Sequence, residues 1–390
     1  MNTTTSENKI KPGYKKTPVG IIPEDWKVKR IGSISTTFSG GTPRTGVKEY
    51  YENGTIPFIK SGEIFQESTN QKITDLGLKE SSAKLIEKGD LLYALYGANS
   101  GEVSISKQDG AINQAVLCIK SKMNNKYLEE NLTYSHQRII SKYLQGGQGN
   151  LSAKILKSVQ LPIPPLPEQK AIADCLTTWD KGIEKLTALI QSKKEQKKGL
   201  MQQLLTGEKR LDGFTEEWEE VKFKDLFKRV NSKKNQITSK EYIESGVYPV
   251  VDQGKVKIVG YSNQKNKLYT NVPVIVFGDH TREVKFIDFD FIIGADGTQL
   301  LKNKDDDDII YLYYLLKNTH VVNLGYSRHM RVLITKKFII PNPKEQSAIA
   351  EVLSTADKEI ELLEKKLNQF KTQKKGLMQV LLTGQKRLIN

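Results

Sequence analysis

Cysteine, histidine and tryptophan are scarce in this chain: its 390 residues include 2, 4 and 3 of them. Cys118 and Cys175 lie far apart, so neither a disulfide framework nor a zinc site is implied, and a reducing cytoplasm is the expected compartment. The histidines, His136, His280, His320 and His329, have no ligand spacing either. No apolar run approaches the length of a membrane span, and the polar opening MNTTTSENKIKPGYKK has no signal-peptide core, so no membrane partner is expected. A G-x-x-x-x-G-K-[ST] phosphate loop is missing, which excludes an ATP motor of that kind. Acidic residues are also in short supply. Asp plus Glu is 45 against 60 for Lys plus Arg, giving a net charge of +15. That balance suits a polyanionic partner, with nucleic acid the first candidate.

What the chain does contain is a repeat. Residues 168–211 align without a gap on 345–388, and 27 of these 44 positions are identical. The segment QKKGLMQQLLTGEKRL at 196–211 returns as QKKGLMQVLLTGQKRL at 373–388 with two changes. A period this long is a two-fold duplication of something large, not a solenoid. Both copies read as long helices that follow proline-rich lead-ins and stop near Gly207 and Gly384. The first would run about 57 Å at the usual rise.

Apolar residues recur at alternating spacings of four and three, the pattern of a coiled-coil seam. In the first copy they are Ile172, Leu176, Trp179, Ile183, Leu186, Ile190, Leu200 and Leu204. In the second they are Ile349, Leu353, Ala356, Ile360, Leu363, Leu367, Phe370, Leu377 and Leu381. The two stripes are natural antiparallel partners, with a bundle formed by another protein as the alternative. Lys197 and Lys374 interrupt the stripes. They either fix register or bury their stems and snorkel their charges to water.

The regions before the helices mix strand and loop character and match only in fragments. PEDWKVKRIGSI at 23–34 is similar to TEEWEEVKFKDLF at 215–227, and Trp26 and Trp218 are expected in core or helix packing. YGANSGEV at 96–103 matches FGDHTREV at 277–284: glycine and Glu-Val are kept while the tip differs. Either two readers of different targets or a drifted surface hairpin would show this pattern.

PPLPEQKAIADCL, QKKGLMQQLLTGEKRL and their second copies resemble the conserved regions of type I restriction-modification specificity subunits. SGGTP at 39–43, GDLLYALYGANSGEV at 89–103 and GAINQAVLCI at 110–119 are similar to that family's target recognition domains. The resemblance implies a mixed α/β chain with a pseudo-twofold internal repeat: two globular recognition domains separated by two long antiparallel coiled-coil helices. The expected boundaries are 1–166 for the first domain, with 1–11 flexible, 167–206 for the first helix, 207–343 for the second domain, and 344–390 for the second helix and C-terminal tail. The implied partners are double-stranded DNA, two methyltransferase subunits docked on the helices, and motor-nuclease subunits. S-adenosylmethionine, ATP and Mg would sit on those partners, with no cofactor and no metal in this chain.

Enzymes are the rival class. The Gly-rich turn and Asn-Pro-Pro-aromatic string of an adenine methyltransferase are missing. Asp279, Glu283 and Lys285 superficially resemble a nuclease site, but the first acid stands too close to the Glu-x-Lys pair. The run Asp305–Asp308 precedes an apolar stretch and suits a helix N-terminus better than a metal. The expected chain is therefore non-catalytic. A stand-alone DNA-binding protein and a nuclease with an unrecognised site remain the alternatives.

Base readers need amides, guanidinium groups or short hydroxyls on loops held by rigid strands. In the first domain these are Thr42, Lys60, Ser61, Asn99, Ser100, Gln148 and Asn150. In the second they are Gln253, His280, Thr281, Arg282, Tyr326, Arg328 and His329.

Overall fold

The computed structural model describes residues 10–143, 151–323, 325 and 327–388. It divides into two compact units: Met1–Lys185 with Leu367–Asn390, and Leu186–Lys366. Neither unit coincides with one copy of the repeat. Both long helices, Leu166–Leu205 and Pro343–Leu382, contribute one half to each unit. No helix among the described residues is long and apolar enough to cross a membrane.

The first unit holds two four-stranded sheets. One has the order Ser35–Ser39, Val116–Ser121, Leu91–Ala94, Val103–Ile105, antiparallel throughout. The other has the order Lys72–Ile73, Ile56–Ile59, Gly110–Ile112, Lys84–Ile86, and its central pair is parallel. Leu91–Ala94 is buried on both faces, which is why it reads as a continuous apolar run. The helix Asn125–Tyr143 follows, and Gln160–Ile163 pairs with Lys27–Arg30. A hairpin of Tyr14–Thr17 and Gly20–Pro23 precedes these elements.

The second unit has the same plan. Its antiparallel sheet runs Phe227–Arg229, Thr298–Asn303, Val274–Gly278, Val284–Ile287. Its other sheet runs Gly260–Ser262, Tyr248–Val251, Phe291–Ile293, Leu268–Tyr269, again with a parallel central pair. The helix Ile309–Asn318 occupies the place of Asn125–Tyr143, and Glu219–Lys222 pairs with Lys337–Ile340. Asp308 caps that helix by accepting hydrogen bonds from the Ile310 and Tyr311 amides, which accounts for the end of the acidic run.

Within each unit the start of one long helix packs on the end of the other. The first unit buries Ile172 and Leu176 with Met378, Leu381 and Leu382. The second buries Ile349 and Leu353 with Met201, Leu204 and Leu205. Of the stripe residues, Leu186, Ile190 and Ile360 are also buried. Trp179, Ile183, Leu200, Ala356, Leu363, Leu367, Phe370 and Leu377 are half-buried.

The repeated polar residues explain one another. At each helix start a buried glutamine donates to a proline carbonyl, Gln169 to Pro164 (2.9 Å) and Gln346 to Pro341 (3.0 Å). Each also accepts a backbone amide, from Asn124 and Asp308 respectively, at 3.0 Å. The glutamate beside each glutamine accepts a tryptophan Nε1–H and an arginine fork. Glu168 takes Trp26 (3.0 Å) and Arg387 (2.7 Å); Glu345 takes Trp218 (3.3 Å) and Arg210 (2.6 Å). In both cases the arginine comes from the other copy of the repeat.

The seam lysines do not snorkel. Lys374 donates to Asp180 at 2.6 Å and to Glu130 at 3.0 Å. Lys197 pairs with Asp357, which also accepts the Tyr314 hydroxyl at 2.6 Å. Burial lowers the Lys197 pKa despite the partner carboxylate. A layer away the units differ. Trp179 meets Phe370 edge-on at 5.4 Å in the first, where a Cβ on Gly182 would lie 3.5 Å from the Phe370 ring. In the second, Lys193 pairs with Glu359 at 2.8 Å.

Candidate nucleic-acid interface

In the first unit the strand Ser35–Ser39 leaves its sheet through Gly40 and Gly41. A Cβ on Gly40 would lie 1.7 Å from the Ile112 carbonyl oxygen, and one on Gly41 2.6 Å from Ser82 Cβ. The two glycines of SGGTP therefore let the backbone pass, and they deliver Thr42 to the surface. The Thr42 hydroxyl donates to Gln114 Oε1 at 2.7 Å. Gln114 is an exposed amide that the sequence reading passed over, although GAINQ was among the strings singled out.

Lys60 is exposed at the start of the turn Ser61–Glu63. Ser61 faces the next loop, where a Cβ on Gly97 would lie 3.8 Å from its hydroxyl. In that loop Asn99 donates to Glu102 (3.0 Å) and the Ser100 hydroxyl to the Leu95 carbonyl (2.9 Å). The structure thus brings Lys60, Ser61, Asn99 and Ser100 together. The Ser100 hydroxyl proton closes its own turn. Gln148 and Asn150 lie outside the described residues.

In the second unit the loops around 252–254, 278–282, 294–297 and 327–330 are knitted together. Gln253 donates from Nε2 to the Asp296 carbonyl (2.8 Å) and accepts the His280 amide on Oε1 (3.0 Å). Its own carbonyl accepts the Thr281 hydroxyl. Gln253 therefore braces these loops through both ends of its amide. His329 lies in the interior of this unit. It is fully buried, and its ring nitrogen and main-chain amide both meet the Asp279 carbonyl (2.9 and 2.8 Å).

His280 packs its Nδ1 3.2 Å from the Ser327 carbonyl, and the Arg282 guanidinium donates to the Val321 carbonyl at 3.2 Å. Arg282 has φ +64°, at the place that Gly101 (φ +91°) holds in the first unit. The two tips are not the same turn. The ladder closes between Ala94 and Glu102 in one and between Gly278 and Glu283 in the other, so the second tip is tighter. Thr281 and Arg328 are exposed. Tyr326 lies outside the described residues. Lys255 and Lys257, within DQGKVK, stand exposed beside this cluster.

The residues of the enzyme alternative serve the scaffold. The Asp279 carboxylate accepts the Met330 amide at 2.7 Å, and Lys285 donates to the Asp252 (2.8 Å) and Val256 (2.6 Å) carbonyls. Burial pushes the Cys118 thiol up to about 12, far from a nucleophile's range. Among the described residues no group of three or more His, Cys, Asp or Glu is placed to hold a metal.

A model of the type I restriction modification DNA specificity domain matches residues 23–194 and 215–372. The MjaVIII type I restriction enzyme specificity subunit of Methanocaldococcus jannaschii is 28% identical over 413 aligned positions, covering 95% of this chain and 95% of its own. The crystal structure of a type I restriction-modification system S subunit from M. genitalium matches with a TM-score of 0.61 at 16% identity, over 91% of this chain and 96% of that one. A structure from work on complex assembly and conformational transition of the type I R-M system gives 0.57 at 15% identity, over 93% and 99%. At these identities the two structures speak for the fold alone.

Proposed function

The chain belongs to the type I restriction modification DNA specificity family, and from that premise we propose that it reads a bipartite DNA target, one half-site per unit, and carries methyltransferase subunits on its long helices. As a specificity subunit it is non-catalytic. The observation that supports two readers is one scaffold built twice with unlike loops. Strand order and direction agree between the units, while Thr42, Lys60 and Asn99 in one give way to Thr281, Arg282 and Arg328 in the other.

Each good base contact contributes about 1–3 kcal/mol of discrimination. Two short readers held at fixed spacing multiply their selectivity without either becoming tighter. The net charge of +15 supplies phosphate affinity that carries no sequence information and weakens with salt. In this reading the protein works in the cytoplasm, with methyl donor, ATP and Mg on its partners and motor-nuclease subunits as further members.

The test is methylation sequencing of the host genome with the chain present and deleted. Loss of N6-methyladenine from one bipartite motif is the expected outcome; an unchanged methylome refutes the proposal. A finer prediction concerns Arg328. Arg328→Ala should relax the bases of one half-site, lowering discrimination there about tenfold or more, and leave the other half-site and the gap as they were. Simultaneous change in both halves would rule out independent readers.

A further inference from the structure

One end of the antiparallel sheet in the second unit carries a polar cluster that the scaffold does not require. Thr298–Asn303 starts there, beside the tip 278–282, and Phe227–Arg229 ends there. The hairpin ladder closes between Gly278 and Glu283, and one step inward Phe277 pairs with Gln299. In the first unit it closes between Ala94 and Glu102, and one step inward Tyr93 pairs with Leu117, a buried core residue. Gln299 therefore puts a half-buried amide where the other copy of the scaffold has a leucine.

The neighbours dictate how that amide is turned. The Leu300 N–H can only donate, and it meets Asn231 Oδ1 at 2.7 Å, so the Asn231 side chain presents Nδ2 on its other arm. Nδ2 donates to Gln299 Oε1 at 2.8 Å, and the Arg229 guanidinium, also donor only, reaches the same oxygen at 2.6 Å. The acceptor capacity of Oε1 is taken. Among the described residues Gln299 Nε2 meets no acceptor and Arg229 no carboxylate. What stays open is N–H alone, on Gln299 Nε2 and on the exposed Arg229 beside it.

An amide reads adenine through its oxygen and nitrogen together, and this one has lost its acceptor. Two adjacent donors match instead the O6 and N7 acceptors that guanine presents side by side in the major groove. A phosphate oxygen would accept from a freely turning amide equally well and gives no reason for a locked one. We propose that Gln299 and Arg229 read a guanine in the half-site of the second unit, and that Asn231 positions the Gln299 amide for it. The inference rests on the function proposed above, since this end of the sheet must face DNA.

Gln299→Leu installs the side chain of the first unit, so hydrogen-exchange protection in Val274–Gly278 and Thr298–Asn303 should be at least that of the wild type. Reduced protection would mean that the glutamine serves the fold, and the proposal fails. Methylation sequencing of a host carrying this variant should show one guanine of one half-site become degenerate. Discrimination there should fall about tenfold or more, with the other half-site and the gap kept. An unchanged motif, or relaxation at a position other than guanine, overturns the proposal. So does uniformly weaker methylation of the same motif, the signature of a phosphate contact. Asn231→Asp keeps an oxygen for the Leu300 amide but turns the neighbouring donor into an acceptor, so the Gln299 amide should flip and the same base position relax. Unchanged reading in that variant refutes the positioning role.

Binding by the purified chain with its methyltransferase subunits covers the case in which methylation disappears altogether. Replacing the guanine by 7-deazaguanine, which lacks the N7 acceptor, should weaken wild-type binding about tenfold and leave Gln299→Leu binding unchanged. An equal effect on both overturns the proposal. A methylome that is unchanged when the whole chain is deleted is a separate failure, that of the functional reading itself.

Discussion

Leu381→Ala, close to the end of the chain, is expected to loosen the unit built around the beginning of the chain. Leu381 is fully buried in one cluster with Trp26, Leu91, Tyr93 and Leu117. Deleting a buried leucine side chain costs about 2–5 kcal/mol, transfer and cavity terms together. Leu204, its counterpart in the first copy, lies instead with Phe227, Phe277 and Leu301. Leu204→Ala should cost a similar amount in the other unit. Because the units need not unfold together, a global midpoint is a poor readout. Native-state hydrogen exchange separates them. Leu381→Ala should lose protection in Leu91–Ala94 and Val116–Ser121, and Leu204→Ala in Val274–Gly278 and Thr298–Asn303. The reverse pattern would refute this crossed assignment of helix ends.

Arg387→Ala should destabilise the first unit by roughly 3 kcal/mol, the lower end of the range for breaking a buried pair. The Glu168 side chain is 3% exposed, while Arg387 is 31% exposed, so water screens part of the loss. Without the arginine, Glu168 keeps Trp26 as its side-chain donor but no opposing charge. Asp25, which Arg387 reaches at 2.9 Å, is half in water and loses little. The companion variant Arg387→Met/Glu168→Gln removes both charges while leaving an amide oxygen to accept the Trp26 Nε1–H, and should recover part of the loss. Native-state hydrogen exchange in Leu91–Ala94 and Val116–Ser121 of the two variants decides the matter. If the double variant is as unstable as Arg387→Ala, the arginine contributes through packing on Trp26, whose ring it overlies at 5.9 Å, and not through the carboxylate.

Three of the expected readers are engaged within the fold. Gln253, Ser100 and His329 are side chains of the expected type on the expected loops. Whether such a group reads a base depends on whether its hydrogen-bonding capacity is already taken. The takers lie far off in sequence: Asp296 and His280 for Gln253, and Asp279 for His329. Ser100 is the exception, closed by Leu95 within its own turn. Thr42 was expected as a reader by type alone, and the reason for its exposed position, Gly40 and Gly41 sliding past Ile112 and Ser82, is also non-local.

By itself the sequence determined the duplication, the two heptad stripes, the helix starts and stops, the basic charge and the lack of catalytic motifs. All of these are local or summed properties, written in spacing and composition. Tertiary structure decided the rest. Each stripe could have met its own copy or the other, and the side chains of the repeat serve either pairing. Only the folded chain sets Arg387 on Glu168 and Arg210 on Glu345, so that each unit is completed by the far copy of the helix. It also decided that two regions matching only in fragments share one strand order. A strand's place in a sheet needs only buried apolar faces and matched hydrogen bonds, which many sequences supply.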